Sequence, residues 1–175
     1  MTDPSYPIGK YVPNPAPDAA TLAGWIDEIA AAPATLRAAV QGLDETQLET
    51  PYRPGGWTLR QVAHHVPDSH LNAYVRFKLA LTEEQPLIKT YDEALWAELP
   101  DARAGSIEPS LDLLERLHER WVRLLRAMTP SDFGRTFRHP DVEGPVTLAR
   151  LTGLYAWHGR HHPAQVTTLR ASKGW

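Results

Sequence analysis

The chain has 175 residues, 42% apolar and 22% charged, which suits one globular domain with its own core and argues against a disordered or fibrous chain. A formal net charge of -3 and a pI near 6.2 argue against a general phosphate-backbone binder, so nucleic acid is not expected as a partner. No apolar run approaches the roughly 20 residues that span a bilayer, the opening MTDPSYPIGKYVP lacks the order of a signal peptide, and there is no cysteine; a cytoplasmic protein, free of membrane, with nitrogen or oxygen metal donors is expected.

Residues 1–17 carry prolines at 4, 7, 13, 15 and 17, which remove backbone donors and hold the chain extended as an arm lying on the body of the protein or on a partner subunit. From Asp18 to about Val40, Leu22, Ile26, Ile29, Leu36 and Val40 recur at helical spacing, with Pro33 as a kink or restart. A short segment begins at Asp44. The turn-rich ETPYRPGG then leads to Thr58, whose hydroxyl can cap a second helix running to about Leu81. Its stripe is Leu59, Val62, Val66, Ser69, Ala73, Phe77 and Ala80, interrupted by Pro67. The long connection from Thr82 to Gly105 is expected to hold a short helix around Asp92–Leu99, with Leu95, Trp96 and Leu99 on one side, and long connections of this kind often cover a site.

The third long helix is the most periodic, from about Pro109 to Met128, with Leu111, Leu114, Leu117, Trp121, Leu124, Leu125 and Met128 on one face. SDFGRTFRHPDVEGP reads as turns, after which Thr147 caps a last helix to about Ala171. Four long helices with few strand signals predict a single all-α domain over 1–175, a four-helix bundle whose core is a common mount for metal ligands.

Six of the eight histidines fall in two runs, His64, His65 and His70 on the second long helix and His158, His161 and His162 on the fourth. Four residues apart on a helix puts Cβ atoms about 5–6 Å apart, so His158 and His162 can clamp one ion. Leu151, Tyr155, His158, His162, Gln165 and Leu169 form one stripe, which turns both rings to the interior, whereas His161 falls off it and is expected to be exposed. His65 shares a face with Val62, Ser69 and Asn72 and is the inward candidate for a third ligand. His64 shares a face with Arg60 and Asp68, and Asp68 either pairs with it or orients a ligand. Three neutral imidazoles leave room for water or substrate, as in a catalytic site, and suit zinc, nickel or copper. Pro67 and Pro163 either free the carbonyls of Ala63 and Gly159 beside these ligands or end the helices there.

YPIGKYVP, PYRPGGWTLRQVAHHVPDSHLNAYVRFKLALTEE, ELPD at 98–101 and LYAWHGRHHPAQ together resemble the DinB/YfiT-like family, the YfiT branch in particular. The resemblance implies up-down-down-up connectivity, a nickel or zinc ion on His65, His158 and His162, and a homodimer. It further implies a metal-dependent hydrolase, or a thiol S-transferase joining a low-molecular-weight thiol such as bacillithiol to a small electrophilic substrate. A non-catalytic metal-binding dimer is the reading from another class. Asp68, Tyr155, Arg76 and Gln165 are the candidates to orient or deprotonate the nucleophile. The blander expectation is that Asp68 and Arg76 form ordinary polar pairs, Tyr155 sits in the core with a bonded hydroxyl, and Trp57 and Trp157 pack.

Overall fold

The computed structural model describes residues 3–175, so the first two residues of the expected arm lie outside the described part. In chain order the elements are α1 (Ala19–Val40), α2 (Glu45–Leu48), α3 (Leu59–Thr82), α4 (Glu93–Trp96), α5 (Pro100–Ala104), α6 (Glu108–Ala127), α7 (Pro130–Phe133), β1 (Thr136–Arg138), β2 (Pro145–Thr147) and α8 (Leu148–Lys173). Helices α1, α3 and α8 start where short polar side chains take over orphan amides, whereas α6 starts after Ile107 with proline in its first turn and no side-chain cap. Asp18 accepts from Thr21 N at 2.8 Å, Thr147 Oγ1 accepts from Arg150 N at 3.1 Å, and Thr58 forms a reciprocal capping box with Gln61. Helices α1, α3 and α8 run through Pro33, Pro67 and Pro163, so neither restart nor termination occurs there. Each proline still removes one helical hydrogen bond, a loss the packed helix faces offset.

The four long helices form a bundle with up-down-down-up directions. Arg37 at the end of α1 pairs with Glu108 at the start of α6, and Asp27 near the start of α1 pairs with Arg126 near the end of α6, so these two are antiparallel. Helix α8 runs parallel to α1, because Trp25 lies against Gly153 and Arg170 donates to the Ala39 carbonyl. Helices α3 and α6 are parallel, with His64 beside Ser110 and Phe77 beside Trp121. Close approach of α1 and α8 depends on glycine: a Cβ on Gly159 would sit 2.8 Å from the Ala32 Cβ, inside van der Waals contact.

One core half is built on Phe77, Trp121, Leu125, Leu148 and Tyr155, the other on Leu36, Leu59, Val62, Val66 and Leu114, and the histidines lie between. The predicted stripe of α6 is observed, with Leu111, Leu114, Leu117, Trp121 and Leu125 buried and Leu124 and Met128 half-buried at its edge.

Two departures concern the connections. The segment read as turns contains an antiparallel hairpin, Thr136 opposite Thr147 and Phe137 opposite Val146, with Phe137 1% exposed. It anchors the long connection, since Ile88 N donates to the Arg138 carbonyl and Arg138 N to the Pro86 carbonyl. The short helix expected around Asp92–Leu99 is present as α4, a single turn capped by Asp92, but a second turn, α5, follows it, and Leu95, Trp96 and Leu99 stand exposed at 66%, 38% and 50%. Proline at position 100 favours a fresh helical start with Leu99 extended before it, which divides the segment.

Candidate metal centre

His65, His158 and His162 each offer a ring nitrogen, and these atoms lie within 4.8 Å of one another. His65 and His162 are 6% and 8% exposed, while His158 is half-buried and opens onto a cavity of about 380 Å³. The His65 ring centroid is 5.4 Å from that of His158 and 4.8 Å from that of His162. Burial holds all three rings neutral, His65 down to about 4 and the other two well below the usual histidine value. Three neutral nitrogen donors with no cysteine nearby match the chemistry of zinc or nickel, and bonds of about 2.0–2.1 Å require each ring to close by less than about 1 Å.

A hydrogen bond on the far side of the His162 ring settles its orientation. Gln165 Nε2 donates to the Ser5 carbonyl at 3.2 Å, which turns its Oε1 toward His162 Nδ1 at 2.9 Å. His162 therefore carries its proton on Nδ1 and shows Nε2 to the other two histidines. Gln165, read from the sequence as an orienting group, touches a ligand rather than the cavity centre alone.

Ser5, Tyr6, Arg53, Trp57, Glu93 and Trp157 line the same cavity. The arm lies on the bundle: Trp157 Nε1 donates to the Gly9 carbonyl at 3.1 Å and Tyr11 hydroxyl to the Arg150 carbonyl at 3.1 Å. This cover overturns the expectation for His161, which is 5% exposed, stacked on Trp157 at 4.2 Å and with the Tyr6 ring 5.8 Å away. Helical periodicity marks the bundle-facing stripe only; it carries no information about a segment folding over the opposite face. Trp57 lies 4.6 Å from His65, presented by a turn in which Tyr52 N donates to the Trp57 carbonyl, so both tryptophans form cavity wall.

The other candidates lie elsewhere. Asp68 does not pair with His64, whose Nε2 faces the Gly105 carbonyl at 3.3 Å and whose Nδ1 lies 2.7 Å from Ser110 Oγ. Nor does Asp68 line the cavity; it is half-buried with its charge toward Asp101. Arg76 forms no ion pair among the described residues, and its Nε is buried without a partner. Tyr155 sits behind His158 at 5.4 Å, its hydroxyl donating to the Ser69 carbonyl at 3.1 Å, in the core as expected. The carboxylate at the cavity is Glu93, which the sequence reading missed; its place in a connection long enough to cover a site was the available signal. A larger groove of about 770 Å³ between α1 and α6 is lined by Arg37, Glu115, Glu119 and Arg123, with no converging donor set, so the smaller cavity carries the chemistry.

Burial, and then Asp101, raise the Asp68 carboxyl from 3.8 to about 6. The folded chain thus holds this proton more tightly than the unfolded chain, so the charged form opposes folding above about pH 6 and the penalty fades toward pH 4. Asp68→Asn is expected to stabilise the protein by about 1 kcal/mol at pH 8, allowing for solvent screening, and by nothing near pH 4; urea titrations at the two pH values measure it.

Residues 28–166 match the model of the DinB superfamily. The chain belongs to the DinB superfamily. Within it, a Bacillus cereus protein named "Putative metal-dependent hydrolase" is 51% identical over 175 residues, with all of both chains covered, and a Bacillus mycoides protein of the same description is 50% identical over the same length. A solved structure, YfiT from Bacillus subtilis, described as a probable metal-dependent hydrolase with an unusual four-helix bundle topology, aligns with a TM-score of 0.96 at 48% identity over 99% of each chain. The four-helix bundle TT2238 aligns at 0.59 with 22% identity, over 86% of this chain and 99% of that one, and shares the fold. No helix among the described residues is long and apolar enough to cross a membrane.

Proposed function

We propose that this DinB-superfamily chain is a metal-dependent enzyme in which His65, His158 and His162 hold one zinc or nickel ion, and that it activates water, or a low-molecular-weight thiol of the bacillithiol type, against a small electrophilic substrate. The observation that carries this reading is the convergence of three neutral imidazoles from two helices at the floor of a walled cavity open to solvent. Such an ion supplies acidity, bringing the pKa of water toward about 7 or holding a thiol as its thiolate. The names of the Bacillus relatives support the hydrolytic form of the reaction.

The chain's own groups do the rest. Glu93, at the cavity from α4, accepts the proton released by the nucleophile. Trp57, Trp157 and Tyr6 give an aromatic wall on which an apolar electrophile stacks while water is thinned around it. Arg53 places the one guanidinium among the lining residues beside them, suited to a carboxylate on the substrate or on the thiol carrier. The protein acts in the cytoplasm as a homodimer in this account.

Zinc-loaded protein is incubated with an activated aryl ester and, separately, with a haloarene electrophile, each with and without bacillithiol. Ester loss in water alone supports hydrolysis, thiol-dependent loss of either electrophile supports transfer, and both are expected to fall at least about 100-fold in His158→Ala. Turnover unchanged in that variant, or absent in the wild type with every substrate, contradicts the enzymatic reading and leaves the ion as a helix staple.

A further inference from the structure

Behind the cavity, His158 heads a hydrogen-bonded row of imidazoles from three helices whose other two members take no part in the chemistry above. His158 Nδ1 on α8 is 3.0 Å from His70 Nε2 on α3, and His70 Nδ1 is 2.8 Å from His118 Nε2 on α6. His118 Nδ1 is 2.7 Å from the Ile29 carbonyl oxygen of α1. His70 and His118 are 0% and 2% exposed, walled by Trp121, whose ring centroid is 5.8 Å from one and 5.5 Å from the other. Among the described residues no carboxylate enters the row.

A carbonyl oxygen only accepts, and this sets the direction of the whole row. His118 therefore carries its proton on Nδ1, which leaves Nε2 as a lone pair. His70 must meet that lone pair with Nδ1–H, because two bare nitrogens at 2.8 Å repel, and its own Nε2 is then bare. His158 must in turn donate from Nδ1, and its Nε2 is left free. Both rings are shut off from water and every partner they meet is a neutral ring or a carbonyl, so nothing balances a second proton and the doubly protonated alternative, in which the direction would be lost, is removed.

We propose that His70 and His118 are positioning residues: they relay the direction of the Ile29 carbonyl through two rings, fix His158 as its Nδ1–H tautomer, and so present its Nε2 lone pair to the ion. The proposal rests on the metal reading above and deepens it. A ligating histidine commonly bonds a carbonyl or carboxylate directly. Here the anchor lies two rings away on α1, so helices that contribute no ligand still set the state of the site.

The test pairs His118→Leu, which removes the acceptor facing His70, with His118→Gln, whose amide can restore an acceptor near the Nε2 position. Zinc affinity is measured by competition with a chromophoric chelator, and tautomers are read in the zinc-free protein by long-range proton–nitrogen correlation of labelled histidines. The expected result is a loss of about 10–100-fold in zinc affinity for His118→Leu and near wild-type affinity for His118→Gln. In zinc-free wild type, His158, His70 and His118 are all expected as Nδ1–H, and His158 shifts toward Nε2–H in His118→Leu. Wild-type zinc binding with unchanged affinity in His118→Leu, or a wild-type His158 already protonated on Nε2, overturns the relay while sparing the metal reading. Failure of wild-type protein to bind zinc at all overturns the metal reading and the relay's purpose together. Should His118→Leu not fold, the wild-type tautomers alone decide.

Discussion

Truncating Trp121 to alanine is expected to cost about 3–5 kcal/mol, a large share of the about 5–15 kcal/mol that holds a typical domain folded. Trp121 is fully buried and its ring meets Phe77 at 5.5 Å and Tyr155 at 5.6 Å, besides the two relay histidines. Removing it leaves a cavity against rings that cannot close in, because His70 and His118 are tied by their hydrogen bonds. Trp121→Phe should cost far less, about 1 kcal/mol. The indole Nε1 is buried without a partner, so losing it relieves an unmet donor that offsets part of the lost volume. Guanidinium unfolding of the three proteins measures both values, and equal losses in the two variants would contradict this packing account.

His158→Ala is the second large effect, and it falls on binding more than on the fold. With free zinc about 1,000-fold above its dissociation constant, the wild type is expected to gain about 4 kcal/mol of stability, seen as a rise in melting temperature. The variant should gain almost none, since His65 and His162 stand on separate helices and two ligands hold an ion weakly. Without metal the variant leaves the buried His70 Nε2 without its donor and loses the ring packed on Tyr155 and His162, so it should be less stable than the metal-free wild type by about 1–3 kcal/mol, a smaller change than the lost zinc effect. Thermal scans with and without zinc, on both proteins, supply the four numbers. A zinc-dependent rise that survives in His158→Ala would place the ion elsewhere.

The bundle was legible because its helices announce themselves by chemistry that acts locally. Asp18, Thr58 and Thr147 cap where short polar residues precede apolar periodicity, and α6 shows a stripe because one of its faces remains in solvent. The histidine pair on α8 and His65 on α3 were readable for the same reason: helical spacing fixes which side chains share a face. What escaped depends on long-range contact. Phe137 and Val146 become a hairpin only because the core accepts them and the 86–88 segment adds to β1. His161 is covered by an arm more than a hundred residues away, Glu93 reaches the site from a connection anchored by that hairpin, and His118 joins the histidines from a helix whose sequence shows it alone. Asp68 was the opposite case, an acid placed beside the ligand run in sequence but turned by the helix toward α5.

The proposed chemistry requires that His65, His158 and His162 share one ion. Crystals of tag-free protein grown with zinc, measured at the zinc absorption edge, test it most directly. The expected map shows a single strong anomalous peak per chain between the three rings, with at least one coordination position filled by a non-protein ligand on the cavity side. A map with no peak there, or with its only peak on surface carboxylates while the three rings turn apart, would contradict it.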